Sequence, residues 1–153
     1  MLFIAKIWQP GRHERIWSIT LTMLIEISIR ELREVTILDL RGTCTLDCGS
    51  ELLSGQVRRL FDNGACNLLL NLEGLTQVDS SGISVLIEMC LSARRNGGNV
   101  KLLRPHNRVR MVLNLFRLLD VIPNFEDETQ ALASFFAPEV PSQKTKSSEV
   151  CEL

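Results

Sequence analysis

The chain has 153 residues, 45% of them hydrophobic, and 17 basic against 18 acidic side chains leave a formal net charge of −1. That length suits one domain with a real core and is short for two. The charge balance lacks the strongly basic face that marks nucleic-acid binding. No apolar run reaches the roughly 18 to 20 residues that span a bilayer; the stretch Ile16 to Ile29 is broken by Ser18, Thr20, Thr22, Glu26 and Ser28. The start lacks the long apolar region and small-residue cleavage site of a signal peptide. A cytoplasmic protein without direct membrane insertion is the expectation.

Residues 1–22 have no regular pattern and read as an N-terminal extension, one explanation being that translation starts at Met23. Leu24 to Leu32 alternates and is rich in isoleucine, and Val35 to Leu40 repeats the pattern after Arg33-Glu34. The two predict a β-hairpin that Gly42 ends. A helix is predicted from about Cys48 to Asp62, with Leu53, Val57 and Leu60 on one face, Leu52 and Phe61 beside them, and Asn63-Gly64 as its stop. The run Leu68-Leu69-Leu70 within Cys66 to Leu72 suits a strand buried on both faces.

A second helix is predicted from near Ser81 to Arg95, closed by Asn96-Gly97-Gly98, then a strand at Asn99 to Leu103. A helix from about Asn107 to Leu118 follows, with Val109, Val112, Leu113 and Phe116 on one stripe. A short Val121-Ile122 strand and a last helix from Asp127 complete the order, Asp127 and Gln130 having the spacing of a capping box. Residues 137–153, with three serines and two prolines, read as a disordered tail. The alternation predicts an α/β fold: one domain at 23–136, a mixed sheet of four or five strands flanked by about four helices.

Five cysteines (Cys44, Cys48, Cys66, Cys90, Cys151) are an odd count without a disulfide framework, and structural thiols are the expectation. Metal binding would need more donors than Cys44 and Cys48 offer, since His13 and His106 lie far away in sequence.

The segment with chemistry is Val78-Asp79-Ser80-Ser81-Gly82-Ile83, where a buried strand gives way to a helix. A helix N-terminus exposes unpaired N–H groups and partial positive charge, which stabilise a phosphate. A phosphoserine there would also repel neighbouring Asp79. Asp and Ser are equally good N-caps, and the four residues Asp79 to Gly82 alone need do nothing more than start a helix. The following helix is apolar nearly all round, so some of Val85, Met89 and their neighbours are expected near the surface unless another helix covers them, the C-terminal helix being the candidate for that cover. A nucleophile elbow is absent, because Val78 and Asp79 stand two before each serine where a glycine is needed. Neither a phosphate-binding loop nor G-x-G-x-x-G occurs, so no enzyme is expected.

The run Leu68 to Leu72, the segment Val78 to Ile83 and Gly97 to Leu102 together resemble a STAS domain, and within that family the bacterial anti-sigma factor antagonists. The resemblance covers roughly Leu24 to Phe136. It implies that Ser80, with Ser81 as the weaker candidate, is phosphorylated by a partner anti-sigma factor acting as a serine kinase on ATP. The unphosphorylated form would bind that factor and free the sigma factor, phosphorylation would switch binding off, and a phosphatase would reset it. The chain would need no cofactor of its own. Asp47, Asp79, Ser81, Gly82 and Ile83 are the implied partner-binding residues. Asp47 is placed there as counterpart of the family's Gly-x-Leu-Asp turn, for which this chain has the longer Gly42 to Asp47. The alternative is a constitutive STAS docking subunit of a lipid-transport complex.

Overall fold

The computed structural model describes residues 3–6, 16–21, 25–46 and 49–137, with side chains from residue 25 onward. Strands β3 (Ile25–Leu32) and β4 (Val35–Cys44) form the predicted hairpin, closed by the Arg33-Glu34 turn with Leu32 opposite Val35. In β3 the buried residues are Ile25, Ile27 and Ile29, so a period of two puts the isoleucines on one face. β4 does not end at Gly42. Gly42 has φ 95° and sits at a register shift against the next strand, a bulge that lets the strand continue to Cys44.

Helix α1 (Gly49–Asp62) crosses to β5 (Asn67–Val78), which pairs parallel with β4. Leu68, Leu69, Leu70 and Leu72 of β5 are fully buried, as a strand covered on both faces requires. Helix α2 (Ser80–Arg95) leads to β6 (Val100–Leu103), and α3 (Asn107–Leu115) to β7 (Asn124–Phe125). β5 is much longer than β6 and pairs with it only over Leu68 to Asn71, whereas its pairing with β4 runs on to Val78. Helix α4 (Glu128–Phe136) closes the described chain, its N-cap Asp127 accepting from the Gln130 amide at 2.9 Å.

Ahead of this unit, β1 (Phe3–Lys6) and β2 (Ile16–Leu21), where the sequence suggested no strand, pair antiparallel and add to the β3 edge. The sheet is therefore mixed and in simple order, antiparallel from β1 to β4 and parallel from β4 to β7. Five of its strands, β3 to β7, belong to the predicted domain. No described helix is long and apolar enough to cross a membrane.

The three β–α–β connections place α1, α2 and α3 on one face, where Leu53, Val57, Ile83, Leu86, Met89, Val109 and Leu113 join Leu38, Leu40, Leu70 and Leu72. Helix α4 lies on the other face against Val35, Ile37, Leu69 and Leu103. There Lys101 is held by Ser134 Oγ at 2.7 Å and by the Phe135 ring at 4.4 Å. Arg30 of β3 binds Asp39 at 2.6 Å and Glu128 of α4 at 3.1 Å.

Three further details bear on the sequence reading. Val121 and Ile122 form no strand: Arg117 has φ 55°, α3 stops short of it, and a 3-10 turn (Leu118–Asp120) carries Ile122 into the core. The edge strand comes three residues later, at Asn124–Phe125. Phe116, expected on the buried stripe of α3, is 48% exposed because it follows the last helical turn. Met89 and Val85, expected near the surface unless another helix covered them, do have that cover: Met89 is 1% exposed and Val85 is half-buried, since α1 packs on that side of α2 with Val57 and Phe61. The C-terminal helix does not supply this cover, being across the sheet; the exposed apolar residues of α2 are Ile87 and Leu91. The expected tail lies outside the described residues apart from Ala137, as do Asp47, Cys48 and Cys151.

Candidate functional site

β5 ends on Val78, a buried residue, and Asp79 follows in extended conformation at φ −114° and ψ −173°. α2 then begins at Ser80. The Asp79 carboxylate works on three amides: Oδ1 accepts from Ser81 at 2.9 Å and Gly82 at 3.2 Å, and Oδ2 accepts from Leu46 at 3.0 Å. The first two bonds satisfy orphan donors of the helix N-terminus. The third leaves the helix for the loop after β4. Burial acts to raise the Asp79 pKa, but the amides of Leu46, Gly82 and Ser81 outweigh it and hold the group below the ordinary carboxylate value. Asp79 is an ion at neutral pH.

Ser80 is exposed, and no hydrogen bond among the described residues engages its hydroxyl; its carbonyl accepts from Ser84 Oγ at 2.9 Å. Ser81 is half-buried. Gly82 and Ile83 are buried, so of the implied partner-binding residues these two shape the turn from beneath. Gly82 has a specific steric cause. A Cβ placed on it would lie 2.5 Å from Val78 Cγ2, 2.8 Å from the Cys44 carbonyl oxygen and 3.1 Å from Cys44 Sγ. Only glycine lets the first turn of α2 rest directly on the end of β4.

Cys44 therefore forms part of the floor. Burial, with a smaller contribution from the Asp79 charge, pushes its thiol up to about 11, so it stays protonated at neutral pH. Among the described residues no group of three or more His, Cys, Asp and Glu is placed to hold a metal. His106 occupies the N-cap position of α3, its side chain making no cap bond and its Nδ1 lying 3.3 Å from the Arg104 carbonyl.

Leu46 is the residue that sequence reasoning missed. Its side chain is 69% exposed while its amide is fixed to Asp79 across 33 residues of sequence. Nothing periodic marks a residue in a loop, and its tie to Asp79 exists only once β4 and β5 are paired. The arrangement as a whole is an exposed serine at a helix start, its hydroxyl without a hydrogen bond among the described residues, next to an ionised carboxylate that also holds the backbone amide of an exposed leucine.

The fold that carries this site has known relatives. The STAS domain family matches residues 26–131. An anti-sigma factor antagonist from Mycobacterium paratuberculosis superposes with a TM-score of 0.66 at 14% identity, over 77% of this chain and 99% of that one. The Bacillus cell fate determinant SpoIIAA in its phosphorylated form gives 0.58 at 21% identity, over 71% and 97%. The murine anion transporter Slc26a9 gives 0.60 at 18% identity, over 71% of this chain and 18% of the transporter. At these identities the structures share the fold, and the family match spans most of the chain. The chain belongs to the STAS domain family.

Proposed function

We propose that this protein is an anti-sigma factor antagonist switched by phosphorylation of Ser80. One observation carries the reading: Ser80 is exposed as the first residue of α2, its hydroxyl unengaged among the described residues, beside an Asp79 carboxylate that is already ionised. In the unmodified form the turn docks an anti-sigma factor, which releases its sigma factor. That same partner, acting as a serine kinase, brings ATP. Ser80 Oγ attacks the γ-phosphorus, the bond to the β-phosphate oxygen breaks, ADP leaves and the hydroxyl proton passes to a base on the kinase. The product carries about −1.5 to −2 additional charge beside Asp79. Such a charge at the centre of a docking surface opposes rebinding without unfolding the domain. A phosphatase restores the serine. In this scheme the chain is ligand and substrate, needs no cofactor and works in the bacterial cytoplasm.

The relatives named above support the scheme through their fold. The test is intact-mass analysis after incubation with ATP and each anti-sigma factor kinase encoded in the source genome. One phosphate is expected, mapped to Ser80 and lost in Ser80→Ala, and Ser80→Asp should bind the partner at least tenfold more weakly. Equal binding by Ser80→Asp and wild type refutes the switch.

A second reading, constitutive docking in a transport complex, is favoured by the match to a region of an anion transporter. It predicts that Ser80→Ala and Ser80→Asp both bind like wild type.

A further inference from the structure

The carboxylate of Asp79 divides its work between two elements. Oδ1 caps α2, and Oδ2 accepts from the amide of Leu46 at 3.0 Å, a residue of the β4–α1 loop. Backbone bonds hold its described neighbours: Asp79 N donates to the Cys44 carbonyl at 3.3 Å and Ser50 N to the Thr45 carbonyl at 3.2 Å. An exposed leucine is ordinary on a protein surface. This one differs in having its backbone held by a charge-assisted hydrogen bond, the stronger kind, from the residue adjoining the exposed serine.

We infer that Asp79 is a positioning residue that couples Ser80 to the Leu46 turn, presenting serine and leucine to the kinase as one epitope and releasing the leucine once Ser80 is phosphorylated. The inference rests on the switch proposed above. Its physical basis is competition at the start of α2. A phosphate on the first helical residue seeks the same positive helix end and the same Ser81 and Gly82 amides that Asp79 Oδ1 now holds. It brings three acceptor oxygens and close to two charges against one carboxylate. The two anions repel, and Asp79 has no proton to gain at neutral pH. The carboxylate turns away, and the Leu46 amide loses its acceptor. Phosphorylation is then read twice, as charge on Ser80 and as release of the backbone that carries the exposed leucine.

Asp79→Asn isolates the coupling. Asparagine caps helices as well as aspartate does, so its oxygen keeps the Ser81 and Gly82 amides, while its NH₂ group faces the Leu46 amide donor to donor. We expect the Leu46 amide–water exchange rate, followed by NMR on 15N-labelled protein, to rise about tenfold or more. Protein carrying phosphoserine at position 80, introduced during translation, should show the same rise. Unchanged exchange at Leu46 in either protein overturns the coupling. The binding arm uses the anti-sigma factor kinases of the source genome: Leu46→Ala should lower kcat/KM for Ser80 phosphorylation about tenfold, with an unaltered unfolding midpoint. Undiminished phosphorylation of Leu46→Ala overturns the shared epitope. If no such kinase binds wild type, the switch itself fails, whereas the exchange measurement, which needs no partner, decides the coupling separately.

Discussion

Gly82→Ala and Gly55→Ala place the same methyl group in two helices, and the structure assigns them opposite signs. Alanine stabilises a helix interior by up to about 1 kcal/mol relative to glycine. At Gly55 of α1 an added Cβ meets nothing within 4 Å, so that gain should appear in full. At Gly82 the Cβ would stand 2.5 Å from Val78 Cγ2 and 2.8 Å from the Cys44 carbonyl oxygen. The second contact is with backbone, which cannot swing aside. Overpacking costs about 1–3 kcal/mol, and a clash with immovable backbone belongs to the upper part of that range, about 2–3, which leaves a net loss of about 1–2 kcal/mol after a propensity gain of about 1. For a domain of this size the melting temperature should fall by roughly 4–8 °C in Gly82→Ala and rise by a few degrees in Gly55→Ala. Thermal and urea unfolding followed by circular dichroism measure both. A Gly82→Ala protein as stable as wild type, or shifted in the same direction as Gly55→Ala, would refute the idea that the turn is seated on β4 by steric necessity.

The Asp79 carboxylate has a depressed folded pKa, so its contribution to stability is complete above the unfolded carboxylate value of about 3.9 and is lost as pH falls through the lower folded value. Urea titrations of wild type and Asp79→Asn should therefore differ by a constant amount above about pH 5 and converge in more acidic buffer; a constant difference down to pH 2 would contradict the geometry. Cys44 should resist iodoacetamide in the native protein at pH 8, because its thiol is buried and pushed up to about 11; peptide mapping should find it alkylated only after unfolding. Lys101→Met removes the hydrogen bond to Ser134 and the cation–π contact with Phe135, and should cost about 1–2 kcal/mol. Hydrogen exchange should show the loss concentrated in α4.

The parts of this fold written locally in the chain were the ones legible in it. Alternating isoleucines marked β3, the leucine run marked β5, and Asn63-Gly64 closed α1 with Gly64 at φ 92°. The Asp79 to Gly82 segment was recognisable as a helix start because its capping chemistry is contained in four residues. What escaped was set by partners distant in sequence. Gly42 looked like a stop because a bulge is a relation between two strands, visible only in the register of β4 on β5. The face of α2 under cover depended on α1, not on any periodicity within α2. Strands β1 and β2 join the sheet edge through backbone pairing, which asks little of side-chain pattern. Leu46 gains its place at the site only through a carboxylate 33 residues away.

The unequal lengths of β5 and β6 determine how the site meets the outside. β6 accompanies β5 only to Asn71, and β5 then runs seven residues further to Val78 with β4 alone as its strand neighbour. At about 3.3 Å per residue that is an overhang of roughly 23 Å. The Ser80 turn thus sits on a headland, reached from seaward by any visitor without trespass on the far side of the sheet. A partner that docks on the Ser80 turn would leave α4, Lys101 and the Arg30 ion pairs undisturbed inland.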